Sequence, residues 1–196
     1  HTLSGIDIAL WDLLGKKFEE PVYRLLGYKK AHPKLPYASR LFGDSPEATF
    51  EKARNAKARG YKAVKFGWGA FGKTDLKADE AQVSAAREGL GSQVQLMIDA
   101  GTVWKEDLAA ARERIGMLQK MKVFWLEEPF TNGALKAYKD VSASGPSLAL
   151  AGGEGCNHLM QAEAMIRYAG LGFIQIDAGR IGGITVAKQV ADLAQQ

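Results

Sequence analysis

Asp99, Glu127 and Glu154 each follow a short apolar or glycine-rich run, in Ile98-Asp99, Leu126-Glu127 and Gly152-Gly153-Glu154, and stand 28 and 27 residues apart. Asp177 closes a similar run, Phe173-Ile174-Gln175-Ile176, 23 residues further on. Carboxylates drawn into one pocket raise one another's pKa and resist ionising together. A bound cation removes that conflict and reverses the local electrostatics. Donors made only of oxygen suit a hard ion, Mg²⁺ or Mn²⁺, and three of them leave about three octahedral positions for water or substrate. Zinc is a poor match, because the nearest soft donors, Cys156 and His158, are too few and share one loop.

Such residues need elements that bring them to one end. Short runs rich in branched and aromatic residues predict strands at Leu35–Ala38, Ala63–Phe66, Gln95–Asp99, Val123–Glu127, Leu148–Ala151 and Phe173–Asp177. Amphipathic stretches predict helices at Leu3–Leu14, Pro46–Arg59, Asp79–Leu90, Glu106–Met121, Leu159–Tyr168 and Ile184–Gln195. Ser45 before Pro46 is an N-cap signal, and Gly60 a stop. A strand–helix beat of about 25 to 30 residues is one βα unit of a parallel sheet. The fold class is α/β, a partial (β/α) barrel of about six strands, in which strand-end acids share the face where barrel active sites lie.

The 196 residues fall short of the roughly 250 of a complete barrel, so the chain is expected to be truncated at both ends, with His1 not a natural N-terminus. Residues 1–30 are read as the end of a capping or linker region and residues 31–196 as one partial barrel domain. A single cysteine, Cys156, excludes an internal disulfide and suggests a cytoplasmic protein. No apolar run nears the roughly 20 residues of a membrane span. The net charge of +4 is mild. Lys16-Lys17, Lys29-Lys30 and Lys34 read as a solvated surface rather than a nucleic-acid face.

Ser4-Gly5-Ile6-Asp7-Ile8-Ala9-Leu10-Trp11-Asp12, Val64-Lys65, Ile98-Asp99-Ala100, Trp125-Leu126-Glu127-Glu128-Pro129, Gly152-Gly153-Glu154, Ile176-Asp177 and Ile181-Gly182-Gly183-Ile184-Thr185 occur in this order along the chain. With them the sequence resembles the enolase superfamily, in its mandelate racemase/muconate lactonizing enzyme branch. The resemblance implies a modified (β/α)₇β barrel below a capping domain, with metal ligands matching Asp99, Glu127 and Glu154. It also implies abstraction of the proton α to a substrate carboxylate, with Mg²⁺ stabilising the enediolate. Asp177 stands where the mandelate racemase group has an aspartate that orients a histidine base on the seventh strand. Lys65 matches the first lysine of that group's Lys-x-Lys, but the second position is Gly67. One-face dehydration of an acid sugar is therefore expected over two-base racemisation. Racemase, epimerase and cycloisomerase remain alternatives within the branch.

Lys65 ends an apolar strand and needs a partner, either a substrate carboxylate or a structural ion pair. Arg180 and His158 are candidate substrate-binding residues, with structural roles as alternatives. Glu128 is expected on the other strand face from Glu127. Gly182-Gly183 reads as a tight turn before an anion site, and Cys156 as a small loop residue without a base. Trp68, with Phe66 and Phe71, either lines a pocket mouth or packs in the core. The expected partner is a small-molecule carboxylate, without nucleic acid or membrane, in a full-length homo-oligomer. The 196 residues alone are expected to be inactive. Two readings of another kind are a doubly wound binding domain, which Pro36-Tyr37-Ala38-Ser39-Arg40 disfavours for want of a phosphate loop, and a barrel that has lost catalysis.

Overall fold

Gln95–Asp99 (β3) and Val123–Glu127 (β4) occupy their expected ranges and end side by side, Asp99 opposite Glu127. The computed structural model describes residues 1–144 and 148–196. With Ala38–Leu41 (β1), Ala63–Gly67 (β2), Ala149–Gly152 (β5) and Phe173–Ile174 (β6), these strands form a six-stranded sheet in the order β1-β2-β3-β4-β5-β6. β1 to β5 pair in parallel. Among the described residues the sheet does not close on itself.

The chain divides into two compact units. One comprises Leu35–Gly152 and Tyr168–Phe173, the other His1–Lys34, Gly153–Arg167 and Ile174–Gln196. In the first, helices Pro46–Ala58 (α3), Leu76–Leu90 (α4), Leu108–Lys120 (α5) and Leu135–Ser144 (α6) alternate with the strands. Side-chain caps start three of them: Ser45 accepts from the Ala48 N–H, Asp75 from Ala78, and Asp107 from Ala109 and Ala110. The core is built of Val64, Phe66, Leu96, Ile98, Leu126 and Leu150 from the strands with Val83, Leu90 and Leu118 from the helices, all buried. The register puts these strand residues on one face of the sheet, so alternation leaves the other face to Lys65, Asp99 and Glu127.

Three sequence expectations shift. The first strand begins at Ala38 rather than Leu35, because Pro36 has no N–H to give the ladder. The sixth ends at Ile174, so Asp177 is not a strand-end residue. Its carboxylate instead caps the short helix Ala178–Ile181 (α8), accepting from the Gly179 N–H. Helix α6 stands where no helix was expected; Leu135, Tyr138 and Val141 carry its apolar periodicity within a polar run.

The second unit is held by Thr2–Phe18 (α1) and Ile184–Leu193 (α9), with the short helix Val22–Leu25 (α2), α8 and most of Leu159–Tyr168 (α7). Ser4, Asp7 and Trp11 recur every three to four residues along α1 and grip residues 182–185. Ser4 Oγ accepts the Gly182 N–H at 3.0 Å, Asp7 accepts from the Thr185 N–H and hydroxyl, and the Trp11 indole donates to Thr185 Oγ1 at 2.9 Å. Gly183 has φ +100, and a Cβ there would overlap the Asp7 carboxylate. The glycine pair is thus a tight docking turn. No helix among the described residues is long and apolar enough to cross a membrane.

Candidate active site

Alternation along β2 puts Lys65 and Gly67 on one face, and the register sets Gly67 beside Asp99 and Asp99 beside Glu127. From two residues back on β2, the Lys65 stem carries its ammonium between the two carboxylates. Nζ lies 3.1 Å from Asp99 Oδ2 and 2.5 Å from Glu127 Oε1. All three are buried, Lys65 and Asp99 at 8% exposure and Glu127 at 1%. Burial alone would lower the Lys65 pKa, but the hydrogen bond to Glu127 and the charges of Asp99 and Glu127 outweigh it and hold the ammonium above its ordinary value. Lys65 therefore makes the ion pair that its position required.

Two indoles complete this cluster. Trp125, two residues before Glu127 on the same strand face, donates from Nε1 to Glu127 Oε2 at 3.1 Å. Trp68, at φ +62 and 54% exposed, donates to Asp99 Oδ2 at 3.3 Å, so it is no core residue, unlike buried Phe66 and Phe71. The other oxygen of Asp99 accepts the Gly101 N–H at 2.9 Å. The loop bearing Trp68 is tied down by Asp79, which receives the Gly72 N–H at 3.0 Å and the Arg114 guanidinium at 2.7 Å. Arg114 also donates to the Thr74 carbonyl. Neither indole donor was expected from the sequence. For Trp125 the signal was available, since a residue two before a strand-end acid shares its face.

Gly67 carries a constraint of its own. A Cβ there would lie 2.6 Å from both Asp99 Cβ and Asp99 O. The position where a second lysine would stand has no room for any side chain on this backbone.

Glu154, His158, Asp177 and Arg180 belong to the other unit. Glu154 lies in a turn two residues past the end of β5, which the Cys156 N–H closes onto the Gly153 carbonyl. Cys156 is buried. His158 is exposed, and its Nδ1 accepts the Gln161 N–H at the start of α7. Asp177 and Arg180 are half-exposed and paired with each other at 3.4 Å. Glu128 follows Glu127 with φ +42 and is itself buried.

Among the described residues no three His, Cys, Asp or Glu side chains form a group that could hold a metal ion. The pair Asp99–Glu127 nevertheless has the chemistry for one. Its donors are oxygen only, buried, and already converge on a single positive centre, the Lys65 ammonium. These residues fit a hard divalent cation.

Residues 48–196 match the family of enolase C-terminal domain-like proteins, and residues 2–27 match the mandelate racemase/muconate lactonizing enzyme N-terminal domain. A 3,6-anhydro-alpha-L-galactonate cycloisomerase of Streptomyces coelicolor is 34% identical over 98% of this chain and 52% of its own length. The crystal structure of a predicted mandelate racemase from Rhodobacter sphaeroides superposes with a TM-score of 0.92 at 50% identity, over 98% of this chain and 49% of that one. That of a D-glucarate dehydratase from Agrobacterium tumefaciens, complexed with magnesium, gives a TM-score of 0.85 at 29% identity, over 99% and 52%. The chain spans about half the length of these relatives.

Proposed function

As the chain belongs to the mandelate racemase/muconate lactonizing enzyme family of the enolase superfamily, we propose that its protein is a Mg²⁺-dependent lyase that removes the proton α to a carboxylate and dehydrates an acid sugar. The observation that supports this most is the convergence of buried Asp99 and Glu127 on one cationic centre at adjacent strand ends. In this reading Asp99, Glu127 and Glu154 hold the ion, with Mn²⁺ as a substitute. When bound, it supplies Lewis-acid stabilisation of charge developing on the substrate carboxylate. Lys65 then faces that carboxylate as a second positive group. Asp177 orients a histidine base, as carboxylate–imidazole pairs do.

The blocked space at Gly67 supports attack from one face, since no side chain there can take a proton. Cycloisomerisation is the second reading, favoured by the identity to the Streptomyces coelicolor relative, and it begins with the same proton abstraction. The test is incubation of the full-length protein with a panel of acid sugars in D₂O with Mg²⁺, followed by proton and mass spectra. A 2-keto-3-deoxy product is expected. Equal deuterium incorporation at carbon 2 into both epimers of unconsumed substrate would overturn one-face dehydration.

A further inference from the structure

Glu127 has two carboxylate oxygens, and the structure gives them different partners. Oε1 meets the Lys65 ammonium, and Oε2 accepts the Trp125 indole N–H at 3.1 Å. An indole can donate but never accept, so Glu127 Oε2 is the acceptor of this bond. The direction of that N–H is set by the ring, and three other aromatics pack on that ring, Phe124 with centroids 5.7 Å apart. Tyr37 meets Trp125 edge-on, with centroids 5.8 Å apart and planes at 88°, and Phe173 packs against it at 5.2 Å and 51°. The Tyr37 ring also lies 5.7 Å from Lys65 Nζ. One aromatic layer therefore underlies both the carboxylate and the ammonium that it faces.

We propose that Trp125 is a positioning residue for the cation site: its indole N–H pins Glu127 Oε2, so that Oε1 is the oxygen offered to the ion. The proposal rests on the metal reading above, in which Glu127 is a ligand. Hydrogen bonds to the far side of a ligand fix its orientation, and their loss typically weakens metal affinity by 10- to 100-fold. Packing alone gives no such effect, since a phenyl ring fills most of the same space.

The test is calorimetric titration of Mg²⁺ into the full-length protein and its Trp125→Phe and Glu127→Gln variants, with melting temperatures recorded in chelator. Trp125→Phe should bind Mg²⁺ roughly tenfold or more weakly and melt in chelator near the wild-type temperature. Unchanged Mg²⁺ affinity in Trp125→Phe, beside a clear loss in Glu127→Gln, overturns the proposal and leaves the metal reading standing. Wild type that binds no Mg²⁺ overturns both. If Trp125→Phe does not fold, the indole ¹⁵N–¹H resonance of Trp125 in wild type decides. It should move on Mg²⁺ addition, and a resonance indifferent to Mg²⁺ overturns the proposal.

Discussion

Lys65 Nζ and Glu127 Oε1 lie 2.5 Å apart although their strands are not neighbours: β3 runs between them, and Asp99 joins the pair from it. Three successive strands thus share one buried positive charge. A second cation placed on Asp99 and Glu127 meets that ammonium as a like-charged competitor.

Lys65→Met should therefore bind Mg²⁺ more tightly than wild type while losing turnover. In chelator the same variant should be the less stable, by about 3 kcal/mol or more, because two buried carboxylates lose their counter-charge. Calorimetry with Mg²⁺ and denaturant unfolding in chelator check the two halves separately. Equal Mg²⁺ affinity would show that Lys65 and the ion do not compete.

Gly67→Ala should destabilise the protein by about 1–3 kcal/mol, as overpacking does, because the added Cβ falls 2.6 Å from Asp99. Gly67→Lys should be worse and should confer no racemisation. Urea unfolding of both variants, with polarimetry of any substrate turned over, checks this. A stable Gly67→Lys variant that racemises would show that β3 yields where the packing says that it cannot.

The carboxylates of the site were legible in the sequence and their support was not. Asp99 and Glu127 close strands whose apolar runs are bounded on both sides, so the strand ends and the acids could be read together. Trp125 reads as one more core aromatic, because the direction of an N–H depends on Tyr37 and Phe173, which come from distant parts of the chain. The Ser4–Trp11 and Ile181–Thr185 motifs were recognisable by resemblance, but their reason lies in contacts between residues 178 apart. Asp177 was misplaced as a strand end because a run of branched residues looks alike whether or not it finds a ladder partner.

Asp7 gives a pH dependence with a definite sign. Burial is the largest single influence on its pKa and raises it, but the Thr185 hydroxyl and the backbone N–H groups of Thr185 and Ile184 together outweigh this and hold the carboxyl below its usual range. A carboxylate lowered in the folded state stabilises above its unfolded pKa, about 3.9. That contribution is lost as pH falls through the lowered folded value. Asp7→Asn should thus be less stable than wild type at pH 6, and the difference should shrink towards pH 3. Urea unfolding at the two pH values measures it; a gap that widens on acidification would contradict the assignment.

Asp79→Asn should loosen the loop that carries Trp68, since Asp79 is the buried partner of Arg114 and holds the Gly72 N–H. Breaking a buried pair costs about 3–5 kcal/mol. The loss should appear in denaturant unfolding, together with a red-shifted tryptophan emission as Trp68 leaves Asp99. Unchanged stability and emission would remove Asp79 from the support of the site.

The central claim, that Asp99 and Glu127 serve a divalent cation on which turnover depends, is tested most directly by metal removal from the full-length protein. Acid-sugar turnover is followed after exhaustive chelation and again during a Mg²⁺ titration. The account predicts that activity falls to background in chelator and returns in proportion to Mg²⁺ occupancy. Undiminished activity in metal-free buffer containing chelator would contradict it.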